Sequence, residues 1–245
     1  DDALAFTQAA DETGIPIILQ AGPSCRAHTP IPILGKMFRY LASQTKTNIC
    51  CHVDHGYTLD ECYDGIDSGF TSVMFDGSKL TLKENIKISK KIASRAHKYN
   101  ISIEGEIGFV GYDNGKISEG TNIEDAVTFA NKSNIDAMAI SVGNTHLQTS
   151  KKASIDFNKI NLIEAKTKIP LVLHGSSGIP VEQRKKLARK TKVAKLNIGT
   201  EIRMTFGQAL RKNLKSNPKT FDRLQLLKPT IKDLTLSLIH ISEPT

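Results

Sequence analysis

Seven short apolar runs, each followed by a stretch with helical spacing, set the strongest limit on how this chain can fold. They occupy residues 15–20, 48–53, 71–75, 101–107, 137–142, 169–173 and 193–198. Most are β-branched and continuous rather than alternating, and Gly, Pro or Asn bounds them. A strand buried on both faces of a parallel sheet reads this way. The stretches between them are amphipathic. Leu59, Cys62, Tyr63 and Ile66 follow i, i+3, i+4, i+7, with Thr58 placed to cap the helix. Ile88, Ile92 and Ala96 repeat at i+4, and Ile202, Phe206, Ala209, Leu210 and Leu214 line one face of a longer helix. No linker interrupts the alternation, so residues 1–236 read as one domain. Residues 3–12 read as a helix. Seven strands are one fewer than the eight of a (β/α)8 TIM barrel, and the simplest account is an α/β barrel whose first strand lies upstream of Asp1. An open doubly wound sheet is the rival, but no G-x-G-x-x-G follows the first run. Residues 237–245, His240 among them, read as a non-native tail and are set aside.

Composition narrows the function classes. The 245 residues are 39% hydrophobic and 24% charged, which suits one large globular domain. No apolar run approaches the roughly 18 residues of a membrane span. The four cysteines, Cys25, Cys50, Cys51 and Cys62, lack C-x-x-C spacing and read as free thiols of a reducing cytoplasm. The net charge is +8, and its densest cluster, Arg184 to Lys192, falls on one helix and reads as a solvated outer face. Without aromatic interleaving it does not read as a nucleic-acid site. A positive balance does suit anionic, phosphorylated substrates.

Three of the strands end in an imidazole. Asp54-His55-Gly56 follows the second, Gly143-Asn144-Thr145-His146 the fifth, and His174-Gly175-Ser176-Ser177-Gly178 the sixth. In a parallel barrel such ends converge on one mouth, where α/β enzymes place their chemistry. Three neutral imidazoles with an open fourth position are what a catalytic zinc needs. Zinc there can polarise a carbonyl and stabilise an enediolate, and Asp54 beside it can move a proton. The Gly/Ser turn before Pro180 offers backbone N–H groups to a phosphate, and Asn197-Ile198-Gly199-Thr200 opens the next helix.

At this point the chain resembles a known family. HVDHG at 52–56, FTSVMFDGS at 70–78, IEGEIG at 103–108, AISVGNTH at 139–146, PLVLHGSSGIP at 170–180 and KLNIGTEIR at 195–203 are similar, in order, to the motifs of class II, zinc-dependent fructose-bisphosphate aldolases and their tagatose-bisphosphate relatives. The resemblance implies a (β/α)8 barrel and reversible cleavage of a ketose 1,6-bisphosphate to dihydroxyacetone phosphate and glyceraldehyde 3-phosphate. It implies that His55, His146 and His174 ligate zinc, with Glu106 as an alternative ligand, and that Asp54 takes the C4 hydroxyl proton. It places Gly175, Ser177, Asn197 and Thr200 around the dihydroxyacetone-phosphate end, and Arg203 and Ser24 at the distal phosphate. A monovalent cation beside the phosphate and a homo-oligomer, dimer or larger, belong to the same expectation. An aldolase for another phosphorylated sugar, or a non-catalytic phosphate- or metal-binding barrel, is the alternative.

The departures bear on the mechanism. The loop glutamate that exchanges a proton at C3 corresponds to Asn114, which does not titrate, leaving Asp113 and Glu119 as the nearby acids. The glycine expected after the middle ligand is Leu147, and the small Gly199 looks more like the tagatose-type branch. Side-chain alternation puts His52 one layer below Asp54, hydrogen-bonded inside the barrel. Glu104 reads as a buried, paired structural acid. Met74 and Phe75 read as core, and His28 and His97 as surface groups.

Overall fold

Each expected apolar run forms a strand. The computed structural model describes residues 1–113, 115 and 118–242. The strands are β1 (Ile17–Ala21), β2 (Ile49–Gly56), β3 (Ser72–Phe75), β4 (Ser102–Ile107), β5 (Ala137–Ile140), β6 (Leu171–Leu173) and β7 (Val193–Leu196). They pair in parallel in sequence order, forming one seven-stranded sheet. The helices are α1 (Asp2–Thr13), α2 (Pro23–His28), α3 (Ile31–Gln44), α4 (Leu59–Asp67), α5 (Leu82–Ala96), α6 (Ile123–Ser133), α7 (Phe157–Lys166), α8 (Val181–Lys190), α9 (Thr200–Ser216) and α10 (Arg223–Ser242). The result is the curled, TIM-barrel-like α/β sheet with one strand fewer than eight. Parallel neighbours need a crossover, and a helix supplies each one.

The two faces of the sheet differ in chemistry. Val53, Val73, Phe75, Ile103, Met138, Ile140, Leu171 and Leu173 belong to the main hydrophobic core, together with Ile66, Ile92, Phe129 and Ile160 from the helices. On the concave face the small apolar cluster of Met74, Ala139 and Val172 shares space with buried His52, Ser72, Glu104 and Glu106. Stability therefore comes from the sheet–helix layer, and the inner face is free for polar groups. Local signals agree with the packing: Thr58 caps α4 by accepting from the Glu61 N–H at 3.2 Å. Gly65 of α4 admits a close approach, since a Cβ there would lie 2.6 Å from a Val53 methyl.

A second buried cluster of Ala5, Ala9, Ile202, Leu234 and Leu238 packs α1, α9 and α10 together. Residues 237–242 continue α10, and Leu238 is buried. The stripe on α9 fades outward: Ile202 and Ala209 are buried, whereas Leu214 is exposed.

Phe129 sits fully buried in the main core, and a Cβ on Gly105 would lie 2.8 Å from its ring. Phe129→Ala is expected to lower the unfolding free energy by about 3–5 kcal/mol. Denaturant titration reads this as a lower midpoint at unchanged slope, and a loss below about 1 kcal/mol would show that the site collapses around the deletion.

Candidate active site

Neighbours on a regular strand point to opposite faces, so Asp54 and His55 cannot both face the inside of an unbroken β2. The strand is not regular there. Val53 pairs with Val73 and Gly56 with Phe75, so two residues of β2 oppose Met74 alone. His55 takes φ 52°, in the left-handed region. This bulge turns both side chains toward the mouth. Gly56 is required beside it, because a Cβ would come within 2.7 Å of Cys62 Sγ and 2.8 Å of the Met74 carbonyl.

The other two imidazoles arrive from the ends of β5 and β6. Asn144 ties these ends together: its Nδ2 donates to the His174 carbonyl at 2.9 Å, and its Oδ1 accepts from the Val142 N–H at 2.8 Å. Gly175, at φ 61°, lets the turn after β6 press on the loop bearing His146, where a Cβ would lie 2.3 Å from the Thr145 carbonyl oxygen. His174 Nδ1 and His55 Nε2 are then 2.8 Å apart. The His146 ring centroid is 5.4 Å from that of His55 and 5.8 Å from that of His174. One nitrogen from each of the three rings lies within 4.8 Å of the others.

The far side of two rings is fixed by acids. His55 Nδ1 bonds Asp76 Oδ2 at 2.8 Å, and His174 Nε2 bonds Glu104 Oε1 at 2.8 Å. Each acid fixes which ring nitrogen faces the cluster. Glu104 is held in turn by Lys195, whose Nζ donates to Oε2 at 2.7 Å. His52 lies one layer deeper, as expected, bonding Ser72 at 2.8 Å with Lys195 3.4 Å from its other nitrogen. Tyr112 stacks on His146 with centroids 5.2 Å apart, and Tyr57 faces His55 at 6.2 Å.

Burial lowers the His55 imidazole, but Asp54 and the bond to Asp76 outweigh it and raise it to about 9. Burial, then the neighbouring rings, push His146 down to about 3 and lower His174 as well. At neutral pH the cluster thus carries one positive charge, not three. Burial also raises the Asp54 carboxyl, but His55, His174 and Lys195 outweigh it and keep it below the usual range. Glu106 goes the other way: burial first, then Asp76, lift it well above the usual carboxylate value.

These residues fit a divalent ion. Three ring nitrogens converge, the outer nitrogens of His55 and His174 are held by Asp76 and Glu104, and the buried Glu106 Oε2 has no hydrogen-bond partner among the described residues. His55, Asp76 and Glu106 form a second convergent set that shares His55. Imidazole nitrogens, once neutral, are donors that suit zinc.

The anticipated substrate residues lie around the same mouth. Asn197 Nδ2 donates to Asp54 Oδ1 at 3.2 Å and lies 3.1 Å from His174 Nε2. Ser177 is buried, and its Oγ accepts from the Glu201 N–H at 3.2 Å. Thr200 starts α9, with Arg203 Nη2 reaching back to its hydroxyl at 3.4 Å. Ser24, expected on a loop after the first strand, lies instead on a helix. It is exposed in the first turn of α2, two residues past Gly22, where a Cβ would be 3.4 Å from Asp54 Oδ2. Asn114 lies outside the described residues, and Leu147 is exposed at φ 58°.

Three residues escaped the sequence reading. Asp76, one place past β3 in an Asp-Gly pair, carried the only available signal, an acid at a strand end. Lys195 looked like an ordinary strand residue. Arg184 was read as part of a solvated face, yet it is 8% exposed and donates to the Ser176 and Ser177 carbonyls, both at 3.1 Å, and to Glu201 at 2.7 Å. It pins the turn that follows His174.

A profile of the family described as "Fructose-bisphosphate aldolase class-II" matches residues 1–242. The chain belongs to that family. The 6-phospho-5-dehydro-2-deoxy-D-gluconate aldolase of Shouchella clausii is 38% identical over 183 residues, 74% of this chain and 62% of that enzyme. The enzyme of the same description from Halalkalibacterium halodurans is 33% identical over 93% of this chain and 81% of its own length. The sulfofructosephosphate aldolase of Alkalicoccus urumqiensis is 31% identical over 87% of this chain and 76% of its own. In structure, the YdjI aldolase from Escherichia coli K12 superposes with a TM-score of 0.81 at 25% identity, covering 98% of this chain and 84% of that one. Class II aldolases are metal-dependent as a family, and the convergent imidazoles are where this chain has donors for an ion. No described helix is long and apolar enough to cross a membrane.

His174→Ala is expected to abolish stoichiometric binding of a divalent metal, measured as metal content after dialysis. A variant that keeps one ion per chain would remove His174 from the ligand set. Glu104→Gln, which removes the charged partner of both His174 Nε2 and Lys195 while leaving the three imidazoles in place, is expected to weaken metal affinity about 10–100-fold in a chelator competition. Because His55 is protonated below about 9 and must be neutral to ligate, metal uptake near neutral pH should release about one proton. Affinity should then fall as pH drops from that value, and pH-independent uptake would contradict the charge assigned to His55.

Proposed function

We propose that this chain is a divalent-metal-dependent aldolase that reversibly splits a phosphorylated ketose into dihydroxyacetone phosphate and an aldehyde, with zinc as the ion and His55, His146 and His174 as its ligands. The observation that carries the reading is the convergence of three ring nitrogens within 4.8 Å beside the ionised Asp54. When bound there, a divalent ion supplies a Lewis acid toward the ketone oxygen. The remaining work falls to side chains. Asp54 is ionised at neutral pH and is oriented by Asn197, so it can take a hydroxyl proton during cleavage and return it in condensation. Glu106, whose carboxyl burial and Asp76 lift well above the usual value, stands in reserve as an alternative ligand.

Phosphate binding is assigned to the turn at Gly175 and Ser177 and to the start of α9 at Thr200, where backbone donors and the helix dipole favour an anion. Asp113 is the acid assigned to proton exchange at C3, since its N–H donates to the His146 carbonyl at 3.0 Å and so ties it to the centre. Arg203 and Ser24 are assigned to the far end of the sugar.

Fructose or tagatose 1,6-bisphosphate is the substrate expected from the motifs. A second reading comes from the relatives, whose names specify a phosphorylated deoxygluconate and a sulfofructose phosphate. All three put an anion at the distal end, and they differ in which anion. A panel of these sugars with aldehyde trapping decides between them. Asp54→Ala should keep the metal and lose cleavage of the preferred sugar by a factor of about 10² or more. Unchanged turnover in that variant would remove Asp54 from the mechanism. If the metal-loaded wild-type chain cleaves none of the panel, a non-catalytic phosphate- or metal-binding barrel is left.

A further inference from the structure

The bulge that aims Asp54 and His55 at the mouth leaves their backbone short of partners. The β1–β2 ladder ends at Ala21 opposite Val53, and the β2–β3 register slips between Val53 and Gly56. The His55 N–H meets the Met74 thioether at 3.4 Å. A non-glycine residue at φ 52° persists only where its surroundings over-determine it.

One side chain meets that demand. Arg26, on α2, has a side chain 8% exposed. Its Nη1 donates to the Ala21 carbonyl at 2.7 Å and to the Asp54 carbonyl at 2.5 Å, and its Nη2 donates to the His55 carbonyl at 3.0 Å. The same Nη2 is 3.5 Å from Glu61 Oε2, and that oxygen accepts from the Tyr57 N–H at 2.7 Å. The guanidinium therefore continues the β1–β2 ladder past its end and ties it to the start of α4. We propose that Arg26 is a positioning residue whose planar fork, bonded to the Asp54 and His55 carbonyls, holds both side chains in the geometry the site needs. It touches neither substrate nor ion. A lysine keeps the charge but cannot span three carbonyls with fixed directions.

The proposal rests on Asp54 and His55 serving the site as described above, and its test separates the two. In Arg26→Lys, measured on the full chain, cobalt(II) loaded in place of the native ion should show an altered visible spectrum and metal affinity reduced about 10-fold or more. With the preferred sugar, kcat should fall about 10²-fold while KM changes little, since displacement of a reacting group by about 1 Å has that effect. Arg26→Ala should show the same changes, and millimolar guanidinium ion should restore part of both the spectrum and kcat. A lysine variant with wild-type cobalt spectrum, metal affinity and kcat, altered only in thermal midpoint, would overturn the proposal and leave Arg26 a structural brace. The cobalt spectrum needs no substrate. A wild-type chain that cleaves no sugar would therefore defeat the aldolase reading while the spectrum still decided the role of Arg26.

Discussion

Charge balance inside the sheet governs the rest of this molecule. Asp54, Asp76, Glu104 and Glu106 bring their carboxyl groups to one end of the inner face, with Lys195 the lysine paired among them. Buried charge is tolerated only when paired and hydrogen-bonded. Each acid resolves this differently. Glu104 shares its oxygens between Lys195 and His174, and Asp76 bonds His55. Burial and the nearby Asp76 lift the Glu106 carboxyl well above the usual carboxylate value, which favours its uncharged form. The imidazoles take up positive charge on one side and repel it on the other, so the group as a whole favours a cation at its centre. The hydrophobic core lies outside, between sheet and helices, and can be optimised without disturbing this balance.

Much of this was legible in the chain because two periodicities were strong. Continuous β-branched runs located all the strands, although β1 and β2 extend past the expected ends to Ala21 and Gly56. Thr58 was recognisable as a cap because a hydroxyl residue stands directly ahead of an apolar stripe with helical spacing. The three imidazoles could be grouped because parallel strands bring their carboxyl ends to one side. The bulge at Asp54 and His55 was not legible, because an extra residue shows only when the partner strand is known. Lys195 and Arg184 were misjudged for a related reason. Both are long cations whose stems are buried while their heads meet acids or carbonyls, and sequence pattern sees only the charge.

Family and substrate separate along a physical line. The imidazole cluster, the Gly175 turn and the start of α9, as proposed above, would serve any ketose phosphate, and relatives named for different sugars belong to the same family. In the proposed reading those sugars differ in the anion farthest from the metal, and the residues assigned to that end, Ser24 and Arg203, are exposed. Loops at the rim vary most readily without loss of the core.

Leu147 carries a lesson of its own. Beside His146, where glycine was anticipated, a branched side chain stands half in solvent with its backbone in the left-handed well. Such a conformation costs on the order of 1 kcal/mol or more for a residue with a Cβ. The main chain at Leu147 takes a bend that glycine would adopt without strain, so the path beside His146 is imposed by its surroundings and not by the residue that occupies it.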